Sequence, residues 1–239
     1  MNKKRKNLII TAYIFCLATF LYLIFKNFTI DELISLEFLL IFKELFLNFS
    51  NNNLFFAAIH IIVISILWAF FLGFTSPIAI FCGMIFGNAF GTLIALLGLT
   101  IGSTVLYLIG RYFFSRILSK LFKSKYNNIR GRFHSNELIF FIFYRIFIGI
   151  PFGLSNLIAV IFNIKLFNYF FGTLIGIFPS VFIWVSIGNG FDKLAAKTGS
   201  PPNYYTIISS PETKYTLIVF FTFFIILIIS KIYINRRMP

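Results

Sequence analysis

Three clusters of basic residues, separated by apolar runs, constrain this chain more than any other feature. The first is Lys3-Lys4-Arg5-Lys6. The second, from Arg111 to Asn136, carries Arg111, Arg116, Lys120, Lys123, Lys125, Arg130 and Arg132, with no acid before Glu137. The third is Arg236-Arg237. Basic segments beside membrane spans stay on the cytoplasmic side, so the number of crossings between successive clusters must be even. The first interval holds the apolar runs Leu8–Phe25, Leu54–Phe74, Ile78–Phe90 and Gly91–Gly110. The second holds Leu138–Gly149, Leu154–Ile164, Leu166–Ile187 and Thr216–Ile234.

The apolar content confirms that lipid is the solvent. Of the 239 residues, 59% are hydrophobic and 12% are charged, about half the charge of a soluble domain. No globular core of this size hides that much apolar surface. The 36 Phe residues, enriched together with Ile, Leu, Asn and Lys, also fit an AT-rich genome. The net charge of +14 sits in clusters beside apolar runs, which signals topology and contact with anionic lipid rather than a nucleic-acid partner. Cys16 and Cys82 lie inside apolar runs and offer neither a disulfide frame nor a metal site. No P-loop, zinc spacing, serine triad or paired-carboxylate motif occurs. No enzyme activity, metal or cofactor is expected.

Not every run can cross. Leu8–Phe25 is long enough for a hydrocarbon core of about 30 Å. It lacks a small-residue cleavage site and reads as an uncleaved first helix. Leu138–Gly149 reaches only about 18 Å at helical rise. Parity holds if Leu54–Phe90 is a re-entrant hairpin from one side and Leu138–Ile164 a hairpin from the other. The expected fold is therefore an all-α integral membrane protein with about four spanning helices and two facing re-entrant hairpins, arranged as an inverted repeat. Residues 1–53 form an N-terminal anchor and connector, in which Ile30–Phe49 has the spacing of an amphipathic surface helix, with a solvated connector as the other reading. Residues 54–190 hold hairpin plus span, twice. Residues 191–239 form a polar loop and the last helix. A rival arrangement, with Leu54–Phe74 crossing alone and Ile78–Gly110 folding back, also satisfies parity.

Internal similarity points the same way. Phe90-Gly91-Thr92-Leu93-Ile94 and Phe171-Gly172-Thr173-Leu174-Ile175 are identical and open the two corresponding spans. Small residues at Gly83, Gly87, Gly91, Gly102, Gly172 and Gly176 suit hairpin turns and close helix packing.

Arg145 is the sharpest candidate for function. It lies inside an apolar stretch, where a charge costs about 2.5–3.5 kcal/mol on insertion scales, and its planar fork suits two oxygens of a phosphate. Snorkelling, or bonding to a hairpin backbone, is the plainer role. Pro77 and Pro151 break helices where re-entrant turns are needed, and the freed backbone groups then require a protein or water-filled surround. Pro179 kinks Leu166–Ile187. Asn156 and Asn163 can bond across the second hairpin or meet a head group. His60 reads as a packing histidine.

These punctuated blocks resemble the DedA/VTT-domain family, also called SNARE-associated Golgi proteins. One block runs from Ser76-Pro77 through Gly83, Phe86-Gly87, Gly91, Gly98 and Gly102 to Tyr107-Leu108-Ile109-Gly110-Arg111. The other is Phe141-x-x-x-Arg145, Pro151, Asn156, Phe170, Gly172, Gly176, Pro179 and Gly188. The resemblance covers about residues 54–190. It implies two facing re-entrant hairpins and movement of lipid, either phospholipid scrambling or carriage of polyisoprenyl phosphates, with proton coupling proposed for the family. For such a role the candidate lipid-binding residues are Arg145, Asn156, Pro151, Pro77 and Pro179. Thr75-Ser76-Pro77 lacks the acidic residue found beside the first hairpin's prolines in one branch. That favours the branch with Golgi and endoplasmic-reticulum members. The expected partners are membrane phospholipids or polyprenyl phosphates. The expected setting is a bacterial cytoplasmic membrane with both termini inside. An ion- or proton-coupled solute transporter would need an intramembrane acid, and a non-transporting membrane scaffold is the third reading.

Overall fold

The structure, a computed structural model, describes residues 35–70, 74–121, 137–146 and 152–222, with isolated positions between 11 and 29 and at 225. Pro151, the loop from 122 to 136 and most of the first and last expected spans lie outside these residues. The described elements are helical: α1 (Leu36–Phe49), α2 (Leu54–Phe70), α3 (Thr75–Leu121), α4 (Glu137–Ile146), α5 (Phe152–Ile161), α6 (Leu166–Gly176), α7 (Phe178–Thr198) and α8 (Tyr204–Ser209). Residues 211–222 begin a further helix. Among the described residues two stretches are long and apolar enough to cross a membrane, Thr75–Tyr112 and Leu166–Thr198.

The first of these is not one rod. Gly87 interrupts α3 with φ 71° and ψ −170°. A Cβ placed on Gly91 would lie 2.7 Å from the carbonyl oxygen of Cys82, so the chain folds back at Gly87. Residues 75–86 are an inner arm rising about 18 Å, too short to cross; residues 88–121 are the outer, spanning arm. Gly87, one of the glycines expected at hairpin turns or close helix contacts, is a turn. Only glycine enters this backbone region without strain. Replacing Gly87 by Ala should lower stability by about 1–2 kcal/mol, even though the nearest atom to the new methyl, Asn189 Oδ1, is 3.9 Å away. A lowered unfolding midpoint in detergent, with no loss of bound lipid, is the expected reading. An unchanged midpoint would mean that the turn is not used.

Close glycine contacts set the order of packing. Gly98 meets Ser65 and Ile62, and Gly102 meets Ala69 and Ile66, so α2 and the outer arm of α3 run parallel. Gly172 meets Phe141 and Gly176 meets Arg145, so α4 and α6 also run parallel. The Glu137 carboxylate accepts from the Lys165 N–H and ties the starts of that pair together. Between the pairs the order reverses. The Tyr169 hydroxyl reaches the Ser103 carbonyl and the Tyr107 hydroxyl donates to the Ile164 carbonyl, with the two rings stacked at 4.2 Å. The two pairs therefore run in opposite senses, as an inverted repeat requires.

The register of this repeat differs from the one in the sequence. Ser65 and Ala69 stand where Phe141 and Arg145 stand, 76 positions on, and Gly98 and Gly102 where Gly172 and Gly176 stand, 74 positions on. The turns correspond too: Gly87 and Asn163 (φ 49°) are 76 positions apart and both have positive φ. The identical pentapeptides are 81 apart, and their glycines meet different partners, Cys82 for Gly91 and Phe141 for Gly172. The pentapeptide match does not mark equivalent positions. Asn163 sits exposed at its turn and takes no part in bonding across the hairpin.

Two hairpins result, one from α2 and the inner arm of α3 and the other from α4 and α5. Helices α4 and α5 have 10 residues each, about 15 Å, and cannot cross. Ala69, just before the first tip, packs at Gly102, near the middle of the outer arm. The rival arrangement, with Leu54–Phe74 crossing alone, is thereby disfavoured. Small residues let the inner arm meet α7, where Gly83 faces the Val185 and Asn189 backbone and Gly188 faces that of Ile80. In lipid, packing of this kind replaces the hydrophobic drive between helices. Helix α1 folds against the first hairpin. Phe42 and Phe46 pack on Phe81, and Lys43 pairs with Asp192 of α7. His60 bonds Ser50 at 3.1 Å between Phe46 and Phe49, a packing role.

Candidate anion site between the hairpin tips

The two tips and the break between α6 and α7 converge on one cleft of about 210 Å³. The first hairpin supplies Phe74, Thr75 and Ser76. The second supplies Tyr144, Arg145, Phe152 and Ser155, and the long helix supplies Ile177, Ser180 and Trp184. Three helices begin here. Inner arm α3 starts at Thr75, α5 at Phe152 and α7 at Phe178. The first N–H groups of a helix lack intrahelical acceptors and carry a partial positive charge. Prolines explain two of these starts. Pro77 lies in the first turn of α3 and Pro179 in the first turn of α7, where the missing N–H costs nothing. The expected kink at Pro179 is present as the break at Ile177.

Arg145 is the cleft's charged group and is only 7% exposed. Its stem fits because Gly176, directly opposite, has no side chain. Nη1 donates to Ser155 Oγ, and Nη2 donates to Asn156 Oδ1 at 2.6 Å and to the Tyr169 hydroxyl at 2.9 Å. The guanidinium carbon lies 5.0 Å from the Phe141 ring centre and 5.3 Å from those of Phe152 and Tyr169, within cation–π range. Neither snorkelling nor a backbone bond describes this cation. It is clamped by side chains from α5 and α6.

The site is short of acceptors. Arg145 Nε, Asn156 Nδ2 and the hydroxyls of Tyr144 and Thr173 are buried without a hydrogen-bond partner among the described residues. Tyr169 has one proton for two acceptors, the Ser103 carbonyl at 3.0 Å and Asn156 Oδ1 at 2.9 Å. Among the described residues no carboxylate pairs with the guanidinium: Asp192 is paired with Lys43, Glu212 with Lys193, and Glu137 with the Lys165 N–H. A buried, uncompensated cation surrounded by spare donors is costly unless an anion or water supplies acceptors.

Of the residues singled out in the sequence, Arg145 and Asn156 meet in one cluster. Pro77 and Pro179 shape the cleft by opening helices, and Gly172 and Gly176 make room for Phe141 and Arg145. Gly83, Gly91 and Gly102 pack elsewhere, and Pro151 lies outside the described residues. Thr75 and Ser76 carry a sequence signal only through the first family block, and Ser155, Tyr169 and Ser180 carry none of their own, because their meeting with Arg145 or the cleft is a tertiary contact.

Residues 72–190 match the family model of the VTT domain. A Dictyostelium discoideum protein described as "Transmembrane protein 41 homolog" is 26% identical over 170 residues, which is 68% of this chain and 48% of that protein. The chain thus spans about half the length of that curated relative. No solved structure matches.

Proposed function

The chain belongs to the VTT-domain family through residues 72–190, and from that premise we propose that it moves lipids across the membrane by admitting the phosphate of a lipid head group between its two hairpin tips. The observation that carries this reading is the buried, acid-free Arg145 with unsatisfied donors on a cleft where three helices begin. Helix N-termini and an arginine fork are the usual elements of phosphate sites. The head group would occupy the cleft while the tails stay in lipid beside the apolar outer faces of the hairpins. Phospholipids and polyprenyl phosphates share the phosphate that such a site recognises. The accompanying setting is a bacterial cytoplasmic membrane, with the basic ends and the basic loop on the cytoplasmic face. The chain acts as a carrier and not as an enzyme.

Reconstitution tests this directly. Purified protein in liposomes bearing tail-labelled phospholipid, or a labelled polyprenyl phosphate, should expose inner-leaflet label to an impermeant quencher. Protein-free liposomes should lose outer-leaflet label only. Identical quenching with and without protein, for both lipids, would overturn the proposal.

A further inference from the structure

We infer that the cleft selects anionic lipids whose phosphodiester carries hydroxyl groups, and disfavours lipids whose head group carries an amine. This rests on the reading of the cleft as a lipid-phosphate site.

The charge inventory comes first. Among the described residues none that lines the cleft is acidic, and Asp192, Glu212 and Glu137 have the partners named above. Nothing that lines the cleft among the described residues can therefore neutralise an ammonium group, while Arg145 repels one. In a low-dielectric surround that repulsion is far stronger than in water.

What the cleft does offer is hydroxyls. Thr75 and Ser76 on the first tip and Ser180 on α7 line it, and their side chains have no hydrogen-bond partner among the described residues. Tyr144 adds a fourth unpartnered hydroxyl. Hydroxyls donate to phosphate oxygens and exchange hydrogen bonds with a polyol. The arrangement is divided between the halves. The inverted repeat puts Ala69 where Arg145 stands in the other half, so the first hairpin brings hydroxyls and the second the cation. About 210 Å³ corresponds to roughly seven waters, room for a phosphate and a short polyol.

The test uses liposomes of one fixed composition with trace tail-labelled phosphatidylglycerol, phosphatidylcholine or phosphatidylethanolamine. A parallel arm measures the unfolding midpoint in detergent with short-chain phosphatidylglycerol or phosphatidylcholine. The expected result is fastest transfer and largest stabilisation for phosphatidylglycerol. The Ser76→Ala and Ser180→Ala variants should each slow phosphatidylglycerol about two- to tenfold, the worth of one net hydrogen bond. Ser76→Glu should move the preference toward phosphatidylethanolamine. Transfer of all three lipids at one rate, above protein-free liposomes, would overturn the selectivity and leave translocation standing. No transfer, with stabilisation by phosphatidylglycerol alone, would overturn translocation and keep the selectivity. No transfer and no differential stabilisation would overturn both, and faster transfer of either amine lipid would overturn the selectivity.

Discussion

Arg145→Ala should cut head-group transfer about ten- to hundredfold, the value of one charge-assisted hydrogen-bonding group for an anion. The change removes the cleft's cation and frees Ser155, Asn156 and the Tyr169 hydroxyl from their shared donor. Those groups are polar and small, so water can refill the space beside the open cleft and the fold should survive. Arg145→Lys separates charge from geometry. Lysine keeps the positive charge but cannot donate to Ser155 and Asn156 at once while lying flat against Phe141 and Phe152. It should therefore restore only part of the rate. Full activity in the lysine variant would mean that charge alone suffices. Full activity in the alanine variant, with unchanged unfolding, would reduce Arg145 to a structural tie and remove the central support for a phosphate path. The measurement is transfer rate in liposomes, with the detergent unfolding midpoint as the control for folding.

The conclusions legible in the sequence were those that follow from length and breakers. Runs such as Leu138–Gly149 that are too short to cross, the helix breakers Pro77 and Pro151, and the parity set by the basic clusters lead to two hairpins, with one rival arrangement of equal parity left for the contacts to decide. Arg145 stood out because a charge in an apolar stretch demands a reason. The positions whose roles stayed open, and the register of the repeat, share a different physical cause. A glycine in an apolar run looks the same whether it packs against a neighbour, as Gly83 does, or reverses the chain, as Gly87 does, because the distinction lies in φ and in partners distant in sequence. The repeat was visible, but its register was taken from a chance identity at 81 positions, when the packing repeats at 74–76. Contacts, not residue identities, carry an inverted repeat, so Ala69 and Arg145 occupy matching places with nothing in common as letters. Convergence of three helix starts on one cleft is likewise a tertiary fact. Each proline announces a helix start, and none announces where it points.

The contact between the inner arm and α7 should be the least forgiving place in the described fold. A Cβ on Gly83 would sit 2.8 Å from the Val185 carbonyl carbon and 3.0 Å from the Asn189 nitrogen. One on Gly188 would sit 2.8 Å from the Ile80 carbonyl carbon and 3.0 Å from its Cα. The obstructing atoms are backbone, which cannot swing aside as a flexible side-chain end can, so the helices must part. Overpacking a tight interior costs about 1–3 kcal/mol, occasionally more. Here the cost should fall at or above the top of that range, because separation also strips neighbouring packing around the fully buried Ala79, Cys82 and Val185. Gly83→Ala and Gly188→Ala should each lower the unfolding midpoint sharply, and Gly83→Val should abolish a monodisperse preparation. Gly102→Ala makes a graded comparison, since its nearest atoms are the Ala69 Cβ at 2.7 Å and the Ile66 Cα at 2.8 Å, one of them a side-chain methyl. It should be destabilising but milder. If Gly83→Ala and Gly188→Ala unfold like the wild type, the inner arm does not lie against α7. The first hairpin tip would then lose the support that holds Thr75 and Ser76 across from Arg145. Retained folding with lost transfer would instead show that the arm shifts without unfolding, and that tip-to-tip spacing is what the cleft requires.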